Sequence, residues 1–169
     1  MNEIIFRPIQ KEDIEAVFSV AKESWEFIYN GVFKEKYINY NLEKYYSKNF
    51  LLNQILEVKS GEQFFCVAIN SSKIIGFCNI VQRNKEMELA RLYLLPDCIG
   101  KGIGKKFLEL GEEFVLVKGF KKYFCYVGKY NETGKNFYLR NGFKYVTSKD
   151  KDDEENNDYQ FYMEKILVP

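Results

Sequence analysis

Two hydrophobic periods alternate along the chain. Residues 3–9 form a short apolar run with Pro8 near its end, which predicts a first strand at a sheet edge, because proline cannot donate to an interior ladder. Apolar positions at Ile14, Val17, Phe18, Ala21 and Trp25 then recur at helical spacing, with Asp13 near the cap. An aromatic, Asn- and Lys-rich stretch over 29–50, broken at Asn30-Gly31, predicts a less regular helical element that continues through 51–58. After Ser60-Gly61 the period shortens to two. Segments 64–69 and 74–81 flank the turn Asn70-Ser71-Ser72-Lys73 and read as a hairpin, and 87–95 reads as a third strand closed by Pro96-Asp97.

A third helical element follows, apolar at Ile103, Phe107, Leu110, Phe114 and Val117 and wet at Lys105, Lys106, Glu109, Glu112 and Glu113. Segment 123–127 reads as a strand. A short helix over 133–140 ends at Asn141-Gly142, a left-handed cap, and 143–146 and 159–166 read as two last strands. The acidic run over 150–158 between them predicts a solvated, mobile hairpin loop, since like charges seldom pack. With no internal repeat and no linker, the expectation is one α+β domain over 1–169 with a mostly antiparallel sheet.

Composition narrows the chemistry. The 169 residues are 46% hydrophobic and 17% aromatic, enough for a core built around rings. Twenty-five basic against 24 acidic residues leave a net charge of +1. Lys101, Lys105, Lys106, Lys118, Lys121 and Lys122 are interleaved with glutamates, so a nucleic-acid partner is not expected. There is no histidine, which excludes a Ser-His-Asp triad, a Cys-His pair and an HExxH metal site. Any general base must be a carboxylate, Tyr, Lys, Cys or a relayed water. Cys66, Cys78, Cys98 and Cys125 form no CxxC pair and no zinc-like spacing, so no metal is expected. They read as buried free thiols of a reducing cytosol; a Cys66–Cys78 bridge would need the hairpin register to set them opposite. No apolar window of about 18 residues exists and the N-terminus lacks a signal-peptide pattern, so the expected location is the cytoplasm, with no membrane partner.

The chemistry concentrates in two segments. Leu92-Tyr93-Leu94-Leu95-Pro96 runs into Gly100-Lys101-Gly102-Ile103-Gly104-Lys105, a strand that ends in a glycine-spaced turn opening a helix. The first helical N–H groups are unpaired and the dipole is positive there, so the turn is an anion cradle. It is neither a P-loop, with Ile99 in place of the first Gly and Lys106 in place of Ser or Thr, nor a dinucleotide GxGxxG. After the next strand comes Asn131-Glu132-Thr133-Gly134-Lys135-Asn136-Phe137-Tyr138-Leu139-Arg140-Asn141-Gly142-Phe143. These two segments, in this order, resemble the paired motifs of the GCN5-related N-acetyltransferase (GNAT) family, and the likeness spans essentially the whole chain. It implies the GNAT fold: a mixed, mostly antiparallel twisted sheet of six to seven strands, flanked by about four helices, with a splay between the fourth and fifth strands.

The resemblance also implies roles. Acetyl-CoA would be the cosubstrate. Main-chain groups of Leu92, Tyr93 and Leu94 would pair with its pantetheine arm as an added strand would. Ile99, Gly100, Lys101, Gly102, Ile103, Gly104 and Lys105 would hold the pyrophosphate, with Lys135 nearby. Asn131 would hydrogen-bond the arm in the splay. Tyr138 would protonate the departing CoA thiolate; a phenol near pKa ~10 can donate to a thiolate whose conjugate acid lies near ~8.5 once aligned. Two positions depart from the family pattern: Ile99 stands where Arg or Gln is usual, and Gly134 where a small Ala is common.

Glu88 is the base that the resemblance implies, with Glu86 on the same strand face and a water as alternatives. Trp25, Glu26, Tyr29 and Glu35 lie in a region similar to Pai-type polyamine acetyltransferases. They would wall a cleft for a small-molecule amine such as spermidine or spermine, through cation–π contact and charge pairing. A peptide, protein or antibiotic amine stays open as acceptor, as does a non-catalytic acetyl-CoA-binding regulatory module. Assembly stays open between monomer and homodimer.

Overall fold

A computed structural model describes residues 3–167, so Met1, Asn2, Val168 and Pro169, the ends of the 1–169 span expected to form one domain, lie outside it. The edge strand β1 (Ile5–Pro8) leads into α1 (Ile14–Tyr29), α2 (Glu35–Tyr46) and α3 (Lys48–Lys59). Strands β2 (Phe64–Asn70), β3 (Lys73–Arg83) and β4 (Glu86–Leu94) follow as a meander, then α4 (Ile103–Val117), β5 (Lys122–Gly128) and α5 (Glu132–Arg140). The chain closes with β6 (Lys144–Tyr145), β7 (Lys151–Asp153) and β8 (Asp158–Ile166). Strand order is β1-β2-β3-β4-β5-β8-β6, with β7 also on β8. Every pairing is antiparallel except β4 with β5.

The sheet has eight strands where six to seven were expected, because β6 and β7 pair with successive halves of β8. The helical stretch after Tyr29 resolves into two helices, parted at Ser47, whose extended backbone (ψ 153°) ends α2 and starts α3. That gives five α-helices rather than about four. Asp13 sits at the start of α1 but does not cap it: its carboxylate accepts from Arg7 and from the Gln10 N–H, 2.7 Å away.

The acidic run is not a loose loop. Asp152 and Asp153 of β7 pair with Tyr159 and Asp158 of β8, Asp150 accepts from Tyr159 Oη and the Tyr162 N–H, and Asp158 is buried. Hydrogen bonds to neighbouring tyrosines and backbone offset the mutual repulsion of the carboxylates.

Helices α1 to α3 cover one face of the sheet around the rings of Tyr46, Phe77 and Tyr93, and α4 covers the other. Helix α4 packs closely because Gly111 faces Ile80, where a Cβ would come within 2.4 Å of the Ile80 side chain. Its buried stripe is Ile103, Phe107, Leu108 and Val115; Val117, expected on that stripe, is 85% exposed at the last turn. Cys66 and Cys78 do face each other across the β2–β3 register. Both are free thiols, buried with Cys98 and Cys125, and burial holds the Cys66 thiol up at about 12.

Candidate active site

The site begins where two strands part. Strands β4 and β5 share one parallel register point, Glu88 with Phe124, and then diverge. Beyond it β4 keeps pairing with β3 on its other side, and the N–H of Leu95 donates to Ile75 O. The two polar groups of a trans peptide point in opposite directions, so the Leu94 carbonyl faces away from β3, into the gap, and Leu92 shares that orientation two residues earlier. The Ser24 hydroxyl of α1 donates to the Leu94 carbonyl at 2.9 Å. Leu92 N–H and C=O and Leu94 N–H therefore remain as an open edge for an extended, amide-bearing arm.

At the end of this edge lies the anion cradle. Gly100 and Gly102 have φ of 80° and 81°, the left-handed region that side chains with a Cβ seldom adopt. Helix α4 starts immediately after. The Lys106 N–H closes its first turn on Gly102 O, so the N–H groups of Ile103, Gly104 and Lys105 have no helical acceptor and point outward. Gly104 faces the ring of Phe137, 3.1 Å from where a Cβ would sit, which locks the α4 start against α5.

A cavity of about 290 Å³ joins the edge and the cradle. Leu92, Tyr93, Leu94, Ile99, Gly100, Gly102, Gly104, Lys105, Asn131 and Tyr138 line it. Ile103 is outside the lining, its side chain being buried in the core, and only its N–H at the α4 start belongs to the cradle. Lys101 is exposed and outside the lining, and Lys135 is turned away: its Nζ donates to Lys129 O and to the Glu132 carboxylate. Ser24, Phe27, Ile28 and Arg140 also line the cavity and carried no motif signal, because their roles arise only when α1 and α5 dock beside the gap. The bare backbone edge, the outward N–H groups and the flanking Lys105 and Arg140 fit a diphosphate with an extended arm.

Asn131 caps α5, its Oδ1 accepting from the Gly134 N–H at 2.8 Å, which leaves Nδ2 for a ligand. A Cβ on Gly134 would fall 2.5 Å from that Nδ2, so glycine at 134 goes together with the folded-back Asn131 side chain. Tyr138 is 8% exposed with its ring edge-on to Phe137 and Phe143, and its hydroxyl bonds to no protein group among the described residues. Burial, with Cys125 a smaller contributor, raises its pKa well above the phenol value, so it is protonated at neutral pH.

A second, larger cleft of about 860 Å³ opens on the other side of Tyr93, which lines both. Helix α1 divides them: Ser24 and Ile28 face the cavity, Trp25 and Tyr29 face the cleft. Trp25 Nε1 donates to Tyr93 Oη at 3.2 Å. Glu88 also faces the cleft, which strict alternation from Tyr93 would forbid. The reason is a bulge. Asn79 pairs with Arg91 and Ile80 with Leu89, so Ala90 is an extra residue that shifts the facing of everything before it. Glu86 lies outside the cleft and pairs with Lys149 at 3.2 Å. Glu26 pairs with Lys22 on the outer face of α1, and Glu35 is exposed at the start of α2; neither lines the cleft. The carboxylates that do are Glu88, Asp152, Asp153 and Asp158.

Residues 20–143 match the family model described as "Acetyltransferase (GNAT) family". The chain belongs to this family. Its membership makes it an N-acetyltransferase with acetyl-CoA as cosubstrate, and the splayed GNAT sheet is the one described above. The chain is 38% identical over 142 residues to a spermidine N(1)-acetyltransferase of Thermoplasma acidophilum, covering 83% of this chain and 88% of that protein. It superimposes on the crystal structure of the PaiA N-acetyltransferase from Thermoplasma acidophilum in complex with coenzyme A, with a TM-score of 0.86 at 36% identity, over 98% of this chain and 99% of that one. A GCN5-related N-acetyltransferase from Rhodopseudomonas palustris shares the GNAT fold at 18% identity (TM-score 0.74, 99% and 98% covered). Among the described residues no group of three His, Cys, Asp or Glu side chains is placed to hold a metal, and no helix is long and apolar enough to cross a membrane.

Proposed function

We propose that this GNAT enzyme acetylates a primary amine of a polyamine such as spermidine or spermine. The observation that carries the reading is the placement of an aromatic- and carboxylate-lined cleft directly across Tyr93 from the cofactor cavity. An alkylammonium chain is attracted to ring faces and to carboxylates, and a cleft offering both suits it. The 38% identical spermidine N(1)-acetyltransferase supports the same substrate class.

The thioester of acetyl-CoA supplies the acetyl group, and the acceptor nitrogen attacks it directly in a ternary complex. The open edge of Leu92 and Leu94, the N–H groups at the α4 start and Asn131 Nδ2 hold the cosubstrate in line with the cleft. Glu88, directly or through a water, takes one proton of the acceptor ammonium (pKa near ~10.4) and frees the attacking lone pair. The nitrogen's second proton, released as the tetrahedral adduct collapses and the C–S bond breaks, returns to Tyr138 through water. Tyr138, protonated and accessible from the cavity, gives its proton to the leaving sulfur.

The test is mass spectrometry of products after incubation with acetyl-CoA and spermidine, spermine, an aminoglycoside and a lysine-containing peptide. Acetylated spermidine or spermine as the dominant product is the expected result. Dominant acetylation of the peptide or the aminoglycoside would replace the substrate class, and acetyl-CoA binding with no transfer would replace enzyme with sensor.

A further inference from the structure

Of the cleft carboxylates that take no part in the chemistry above, Asp152 and Asp153 are exposed and Asp158 is buried. Asp158, at the start of β8, is 8% exposed and lines the cleft. Its Oδ2 accepts from Tyr37 Oη and from Gln160 Nε2, both at 2.9 Å. Both donors are neutral, and among the described residues no lysine or arginine forms an ion pair with Asp158. The cations of the cleft are engaged elsewhere: Arg83 with Glu88, Arg91 with Asn79, Lys44 over Tyr45 and Lys151 over Tyr126 at 3.7 Å. A carboxylate withdrawn from water and left without a cation is costly, which marks the position as one that a cationic ligand would relieve.

An aromatic track leads to it. Trp25, Tyr29, Phe33 and Tyr37 follow one another with ring centroids 5.1, 5.0 and 5.1 Å apart, and all four line the cleft. Hydrogen bonds pin both ends, Trp25 to Tyr93 at the cofactor cavity and Tyr37 to Asp158. A methylene chain lying along these rings would have one nitrogen at the reacting end and another at Asp158.

We infer that Asp158 binds the second, non-reacting ammonium of the acceptor, so that the enzyme selects amines bearing another cationic nitrogen at the far end of an aliphatic chain. The inference rests on the polyamine reading and assigns its distal contact.

Asp158→Asn retains an oxygen for both accepted hydrogen bonds and removes the charge. The experiment compares kcat/KM for spermidine with that for butylamine, which lacks the second ammonium, in both proteins, with CoA-induced thermal shift as the check of folding. The wild type should prefer spermidine, and the preference should fall about 10- to 100-fold in Asp158→Asn, the scale of one lost charge-assisted hydrogen bond. A preference kept in Asp158→Asn overturns the role of Asp158 and leaves the polyamine reading standing. A wild type that acetylates both amines equally well shows that the second ammonium is not read, and overturns the inference. A wild type that acetylates neither overturns the polyamine reading together with it. Loss of CoA uptake in Asp158→Asn would mean that the charge serves the fold and would also overturn the assignment.

Discussion

Glu88 and Arg83 meet across the β3–β4 hairpin, the carboxylate accepting from Arg83 Nε at 2.8 Å. The arginine side chain is 58% exposed and that of Glu88 only 17%, so the pair is wet on one side and open to the cleft on the other. An exposed pair of this kind is weak, and an incoming ammonium can compete for the carboxylate. Replacing Glu88 with Gln should lower kcat/KM for spermidine roughly 10- to 100-fold, a general base being worth at least that much. The deficit should widen as pH falls, because deprotonation of the acceptor then limits the rate. A ratio of rates that stays flat across the pH profile would assign the proton to a water.

Tyr138→Phe removes the phenol that α5 presents to the cofactor cavity without disturbing the ring contacts to Phe137 and Phe143. Turnover should fall about 100-fold while the Kd for CoA changes little, since general-acid assistance is worth roughly 10²–10⁴ and acts only in the transition state. Single-turnover kinetics beside calorimetric CoA titration separate the two. Unchanged turnover would return Tyr138 to a packing role.

Gly134→Ala separates stability from binding. The added methyl collides with the Asn131 side chain and displaces its cap on the Gly134 N–H. Losing a cap costs about 1 kcal/mol and placing Ala for Gly inside a helix returns about as much. The melting temperature should therefore hardly move, whereas CoA affinity should fall severalfold as Asn131 Nδ2 leaves its position. Thermal melts and CoA titration of the one variant suffice to check both halves.

Alkali should unfold this protein early. Burial is the first cause of the raised pKa of Tyr29, Tyr46, Tyr123 and Tyr138, with neighbouring tyrosines or, for Tyr123, Glu112 adding to it. In the unfolded chain each ionises near ~10, so above that pH the unfolded state holds fewer protons and stability falls as pH rises. Below pH ~10 their contribution is constant; above it each removes roughly 1.4 kcal/mol per pH unit until its folded pKa is reached. Denaturant midpoints should be level up to about pH 10 and drop steeply beyond it. Tyrosine absorbance should show the buried group ionising only as the fold is lost, and smooth titration of all thirteen tyrosines in a folded protein would contradict this.

How legible was the site? The cofactor half was local. Leu92–Leu94, the glycines of the cradle and Asn131 are placed by a strand edge, a helix start and a cap, which a few consecutive residues specify, and Tyr138 stands on the helix that Asn131 caps. The acceptor half was not. Glu26 and Glu35 sit near Trp25 and Tyr29 in sequence yet point away from the cleft, while Asp158 reaches Tyr37 from 121 residues further along. The spacing of four between Trp25, Tyr29, Phe33 and Tyr37 was a usable signal, but it crosses Asn30-Gly31, where the helix ends and the track continues only because α2 turns back beside α1.

By itself the sequence determined the order of the main elements, without the division of α2 from α3 or strand β7, together with the splayed sheet through its family motifs, the anion cradle and the absence of any imidazole from the chemistry. Those follow from composition, period and short-range geometry. The tertiary structure alone decided which carboxylates share the cleft. The Ala90 bulge turns Glu88 toward it, the β7–β8 hairpin converts a charged run into an ordered wall, and Asp158 is buried there without a cation. A bulge, a register and a burial are properties of strands already paired, so their consequences emerge only once distant segments have met.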